Sequence, residues 1–246
     1  NTEKDSDKQA AEYHAASRFV PYKSVYEKIR ETGNGKAFSV SKFGSNRIET
    51  FDELTEEVVR LCGTEERKYI YAYWENPDSL MHMEGCYHPL VTENMSVLQD
   101  RVENLCERLS DTLFIVTADH GHCSLEHYVL TDYPDLFGML ERPISVETRA
   151  AAFYVKKEHL EEFPILFQKY FGEEFQIYSR QEIIEKEIFG MGQMHPRFEE
   201  FVGDYMAIAV KDKGIVNSKK SLQLRSNHAG LTAKEMCIPL IVISKK

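Results

Sequence analysis

The chain has 246 residues, 42% hydrophobic and 28% charged, which fits one large globular domain, or one domain carrying an insertion, with a substantial core. Its 40 acidic side chains outnumber 30 basic ones for a formal net charge of −10; such a surface repels a nucleic-acid backbone and argues against a module that binds duplex DNA or RNA. A small phosphorylated substrate is a different case, because bound cations invert the local potential inside an acidic protein. The five cysteines, Cys62, Cys86, Cys106, Cys123 and Cys237, are odd in number and include no Cys-x-x-Cys pair. Neither a disulfide framework nor a thiolate zinc site is indicated, and a reducing, cytoplasmic setting is expected. No run approaches the ~18 apolar residues of a membrane span and no signal-peptide pattern opens the chain, so no membrane partner is expected.

In chain order, Asn1 to Ser17 is polar and Ala-rich and reads as an arm or surface helix. Apolar-periodic stretches follow at Tyr22 to Glu31 and Phe51 to Leu61, each closed by a glycine, Gly33 or Gly63, and read as helices. Four short runs have the continuous apolar character of strands buried on both faces: Tyr69 to Trp74, Leu113 to Thr117, Tyr205 to Val210 and Leu240 to Ile243. Ala151 to Val155 is a fifth. Between the first two, Val91, Met95, Leu98, Val102, Leu105 and Leu109 step by three or four along one helix face. Strand, helix, strand at this spacing predicts a βαβ unit, hence an α/β fold with a largely parallel sheet and helices on both faces. Pro134 to Pro143 reads as a loop, and Glu158 to Gly190 as mostly helical with a short extended piece at Phe175 to Tyr178. Residues 123–200 are expected to form a cap or insertion within a single 1–246 domain.

The chemistry-bearing residues fall just after strands. In open parallel sheets, ligands collect at the carboxyl ends of strands, where loops converge. The first predicted strand runs into Asp78 and His82, the second into Asp119-His120-Gly121-His122, and Asn227-His228-Ala229-Gly230 precedes the last. Carboxylate and imidazole are the donors that zinc and related divalent ions accept. Asp78 after Pro77 also suits a turn or N-cap, and His228 alone suits a hydrogen-bonded core histidine. A charged pair such as Asp119-His120 at the end of a buried strand is costly unless paired or metal-bound, and the conjunction of three such loops favours a site.

The ordered set Tyr73-x-Glu75-x-Pro77-Asp78-x-x-x-His82, Thr117-Ala118-Asp119-His120-Gly121, and His228 followed by Gly230 resembles the metal-ligand signature of the type I phosphodiesterase/nucleotide pyrophosphatase family within the alkaline phosphatase superfamily. The resemblance runs from about Tyr69 to Ile243. It implies an alkaline-phosphatase-like core, two divalent metal ions, and hydrolysis of a phosphodiester or nucleotide pyrophosphate bond in a small phosphorylated substrate. Zinc is favoured, with manganese or iron also suited to oxygen and nitrogen donors. Asp78, His82 and His228 match ligands of one ion, and Asp119 and His120 match two ligands of the other.

The family's remaining aspartate and its threonine or serine nucleophile have no match here, so the resemblance implies a truncated amino terminus and an unassigned catalytic nucleophile. Met81 stands where many relatives have glycine and would narrow the pocket. His122 stands where they often have methionine or another residue, and it is read as contacting the phosphate or supporting a ligand from behind, with a plain surface imidazole as the alternative. His88, His127 and His195 read as structural or surface residues. His82-Met83-Glu84 has the His-x-Glu spacing of zinc deaminases, but no Pro-Cys-x-x-Cys follows to complete that site. A phosphonate hydrolase or phosphomonoesterase of the same superfamily, or a non-catalytic phosphate-binding domain, remain the alternative functions.

Overall fold

The computed structural model describes residues 22–246 apart from 220, 221 and 223, together with Glu12 and Arg18. The arm expected over 1–17 lies, Glu12 aside, outside the described residues. The chain divides into two compact units, Asn1–Trp74 with Leu105–Thr112, and Glu75–Asn104 with Leu113–Lys246.

In the first unit both expected helices start at capping boxes. Ser24 and Thr50 each accept the N–H of the glutamate three residues on, while Glu27 and Glu53 accept the N–H of the cap in return. Helix α1 is therefore Val25–Glu31, and α2 is Phe51–Cys62. Helix α2 buries Phe51, Leu54, Val58 and Leu61 along one stripe, each worth about 1.5–3 kcal/mol when fully withdrawn from water. Strand β1 (Lys36–Val40) pairs in parallel with β2 (Lys68–Ala72). Sequence reasoning missed β1 because a lysine and a serine interrupt its five residues, too short a run for an apolar signal.

The second unit begins with helix α3 (Asp78–Glu84) and takes in most of α4 (Pro89–Glu107), followed by strands β3 (Thr112–Thr117), β4 (Cys123–Ser124) and β5 (Glu126–Val129). Helix α5 (Pro134–Gly138) precedes β6 (Leu140–Val146) and β7 (Ala150–Val155); then come α6 (Phe163–Phe171), β8 (Phe175–Ser179), α7 (Arg180–Glu185) and α8 (Phe198–Val202). Strands β9 (Tyr205–Ala209), β10 (Lys213–Val216) and β11 (Ser226–Asn227), helix α9 (Ala233–Met236) and β12 (Leu240–Lys245) complete it.

The fold is mixed α/β, but its sheets are small, and the largest corrects the parallel expectation. Strands β6-β7-β9-β8 form a four-stranded sheet in which every pairing is antiparallel. Continuous apolar runs misled on direction because this antiparallel sheet is covered on both faces. Ala151, Phe153 and Val155 face one core cluster with Phe163, Phe167 and Phe171, whereas Ala152 and Tyr154 face another with Ile183, Val202 and Met206. Burial on two faces erases the alternation that normally marks an antiparallel strand. Strand β2 pairs with β1, and β3 with β12.

The loop expected at Pro134 to Pro143 is a helix and a strand. Pro134 occupies the first turn of α5, where a missing N–H costs nothing. Pro143 sits in β6, an edge strand whose register slips on either side of Arg142, and proline is tolerated at such edges and bulges.

Candidate metal centre

Asp78 is the first residue of α3 and His82 lies one turn further on, so both side chains share a helix face. The helix is held against β11 by three hydrogen bonds: Arg225 N–H to the His82 carbonyl, Ser226 Oγ to the Met81 carbonyl, and His82 Nδ1 to the Ser226 carbonyl at 2.9 Å. Strand β3 ends at Thr117 and opens into the Asp119-His120-Gly121-His122 loop, after which β4 pairs with β11, Asn227 opposite Cys123. This short ladder sets His122 and His228, the neighbours of the paired residues, side by side.

Four groups converge. The Nε2 atoms of His122, His82 and His228 lie 3.2, 3.4 and 3.8 Å from Asp78 Oδ1. One donor atom from each of these four residues lies within 4.8 Å of every other, the one such group of three or more His, Cys, Asp or Glu donors among the described residues. Three imidazoles around one carboxylate oxygen form a donor set that suits a divalent ion accepting nitrogen and oxygen. Asp119 and His120 stand beside the group: the His120 ring stacks on that of His228 with centroids 3.7 Å apart and planes 19° from parallel, while the Asp119 side chain is exposed. His122, read from sequence as a phosphate contact, a support behind a ligand or a surface imidazole, has an almost wholly buried side chain between Cys86 Sγ and Asp78. His88 and His195 are not among the convergent residues, and His127 lies in β5.

Hydrogen bonds fix the ring states. A carbonyl accepts only from N–H, so His82 donates from Nδ1 and turns Nε2 toward Asp78. His120 Nδ1, 3.0 Å from the Gly121 carbonyl, is fixed in the same way. Burial, then the neighbouring His82, pushes the His122 imidazole down to about 4, with Asp78 opposing. Burial and the adjacent His120 likewise hold His228 below its ordinary value. Neutral imidazoles are the form that binds metal, and keeping them neutral in a crowded group lowers the proton competition for a cation.

Sequence reasoning missed a ring of supporting residues. Glu147, at the turn between β6 and β7, is raised by burial, with His82 and His120 opposing, which places a carboxyl within electrostatic range of the centre. Next to it, Thr148 Oγ1 accepts from Asn227 Nδ2, and Arg149 is fully buried. One signal was available: an arginine heading the apolar run Ala150–Val155 has to find a partner inside the core.

A mixed α/β scaffold thus gathers one carboxylate and three imidazoles into a donor set that suits a divalent ion. The chain belongs to the type I phosphodiesterase/nucleotide pyrophosphatase family, whose sequence model matches residues 5–230. It is 30% identical over 88 residues to the human GPI ethanolamine phosphate transferase 3 catalytic subunit, a stretch covering 35% of this chain and 8% of that protein. Murine ectonucleotide pyrophosphatase/phosphodiesterase 5 superposes with a TM-score of 0.67 at 15% identity, covering 89% of this chain and 63% of that one. The phosphonoacetate hydrolase of Sinorhizobium meliloti 1021, in complex with phosphonoformate, gives 0.54 at 16% identity, with 78% and 49% covered. The chain thus spans less than two thirds of the murine protein's structure and a small fraction of the human protein. These structural likenesses establish the fold.

Proposed function

We propose that the protein hydrolyses a phosphodiester or nucleotide pyrophosphate bond with two divalent cations, one held by Asp78, His82 and His228 and the other by Asp119 and His120. The observation that carries this reading is the convergence of three imidazole nitrogens on Asp78 Oδ1. When bound, such cations would neutralise phosphoryl oxygens and lower the pKa of an attacking oxygen. The chain's own part is to aim the ligands: Nδ1–H bonds to the Ser226 and Gly121 carbonyls orient the rings of His82 and His120 and leave Nε2 of each for the site. His122 takes the role of orienting Asp78, and zinc is the favoured ion, with manganese or iron as alternatives.

This reading assigns the hydroxyl nucleophile to none of the described residues. Thr117, the nearest hydroxyl to the Asp119 loop in sequence, donates to the Pro239 carbonyl at 2.9 Å and is committed to structure. Met81 and residues 123–200 would filter small phosphorylated substrates. Five unpaired cysteines suit a cytoplasmic setting, and no helix among the described residues is long and apolar enough to cross a membrane. The likeness to phosphonoacetate hydrolase favours phosphonate hydrolysis as the second reading.

The test is turnover of an aryl phosphodiester and of phosphonoacetate in zinc or manganese, by this chain and by a version extended upstream. Metal-dependent turnover of the diester by the extended protein is expected. Equal activity of the two would overturn the assignment of the nucleophile, and phosphonoacetate turnover alone would favour the second reading.

A further inference from the structure

Both motif glycines, Gly121 and Gly230, meet the same short helix. A Cβ on Gly121 would collide with the Lys234 carbonyl, and one on Gly230 would sit 2.6 Å from Arg149 Nη2, 2.8 Å from Glu235 Oε2 and 2.9 Å from the Ala209 carbonyl. Neither glycine is at a turn that needs its backbone freedom; in each case the missing side chain lets a loop approach α9.

Glu235 makes the approach specific. Its backbone carbonyl accepts the Gly121 N–H at 2.7 Å and its carboxylate accepts the Gly230 N–H at 2.8 Å. The same carboxylate accepts from Arg149 Nε and Nη2 at 2.5 and 2.6 Å and from Thr232 Oγ1 at 2.6 Å. Arg149, wholly enclosed, spends its remaining nitrogen on the Lys211 and Lys213 carbonyls, and the preceding Thr148 holds Asn227. Burial works against the Glu235 charge, yet the Arg149, Thr232 and Gly230 hydrogen bonds hold its carboxyl below the usual range. One residue thus grips the loop bearing Asp119, His120 and His122 through its main chain, and the loop bearing His228 through its side chain.

We infer that the buried Arg149–Glu235 pair is a positioning device: it clamps the two histidine loops at the separation that sets their two cation positions side by side. This rests on the metal reading of the site. Neither residue touches the cation; both act through Gly121 and Gly230. Partners that orient ligands typically alter metal affinity about 10–100-fold when lost.

The experiment uses Glu235→Asp, which keeps the charge facing Arg149 but shortens its reach. Because a disturbed buried pair threatens folding, Arg149→Met/Glu235→Leu is made alongside, replacing the pair with apolar groups of similar size. Amide hydrogen exchange is followed in the metal-free proteins, and Co(II) binding by visible absorption. The expected result is faster exchange at Gly121 and Gly230, unchanged exchange at Ala151 and Ala207, and Co(II) affinity down about tenfold or more. Unchanged Gly121 exchange would overturn the clamp, as would equal acceleration at all four amides, which marks a general stabilising role. Wild-type protein that binds no Co(II) would sink the metal reading instead, leaving the exchange pattern to decide whether the loops are clamped.

Discussion

Strands β7 and β12 are both six residues long and rich in apolar side chains, yet their surroundings are opposite. In β7 every residue from Ala151 to Val155 is buried, under aromatic rings such as Phe153, Phe163 and Phe167. In β12 Leu240 is 72% exposed, Ile241 50% and Val242 55%, and its neighbour β3 leaves Leu113 at 64% and Ile115 at 51%. An apolar run states that a strand is written for burial; it does not state what covers it. The β3–β12 pair carries the loops of the candidate centre and presents an apolar face that the described residues leave open, a pattern monomeric surfaces usually avoid.

Substitutions on either side should separate the two regions. Phe167→Ala removes a fully buried ring and is expected to cost about 3–5 kcal/mol, read as a lower midpoint in denaturant. Asp78→Ala/His228→Ala should abolish zinc retention on dialysis while leaving the metal-free midpoint near wild type; retention of zinc by that variant would place the ion elsewhere. Acid should bear on the clamp. The Glu235 carboxyl lies below its ordinary 4.5, so the stability it contributes is present above that pH and is lost as pH falls through the lower folded value. The wild type should accordingly lose stability more steeply than Arg149→Met/Glu235→Leu below that point in parallel acid titrations. Met81→Gly, in a short helix, should cost about 1 kcal/mol and change the kcat/KM ratio between small and large phosphodiesters; an unchanged ratio would remove Met81 from substrate selection. Leu240→Ser on the open face should move stability by no more than about 0.5 kcal/mol while reducing self-association in sedimentation.

Much of the centre was legible because its donors occur in short ordered motifs, and three of the four convergent residues, Asp78, His82 and His228, were grouped from sequence. His122 was left between touching substrate, supporting a ligand and lying on the surface, and its side chain is packed against Asp78; one residue after a glycine, nothing in the pattern fixes which way a ring turns. The helices at Val25 and Phe51 were legible from apolar periodicity and closing glycines. Sheet direction was not, because a strand enclosed on two faces carries no alternation. Arg149 and Glu235 lie 86 positions apart, and local spacing has no means of joining them.

The near-parallel stack of His120 on His228 gives the protein an internal gauge. Each imidazole lies in the shielding cone of the other, so their carbon-bound protons should resonate upfield of ordinary histidine positions. These two rings are assigned to different cations, so loading one position alone and then both should shift the two sets of resonances in separate steps. A titration followed by proton NMR would then count the ions and order their arrival without any substrate.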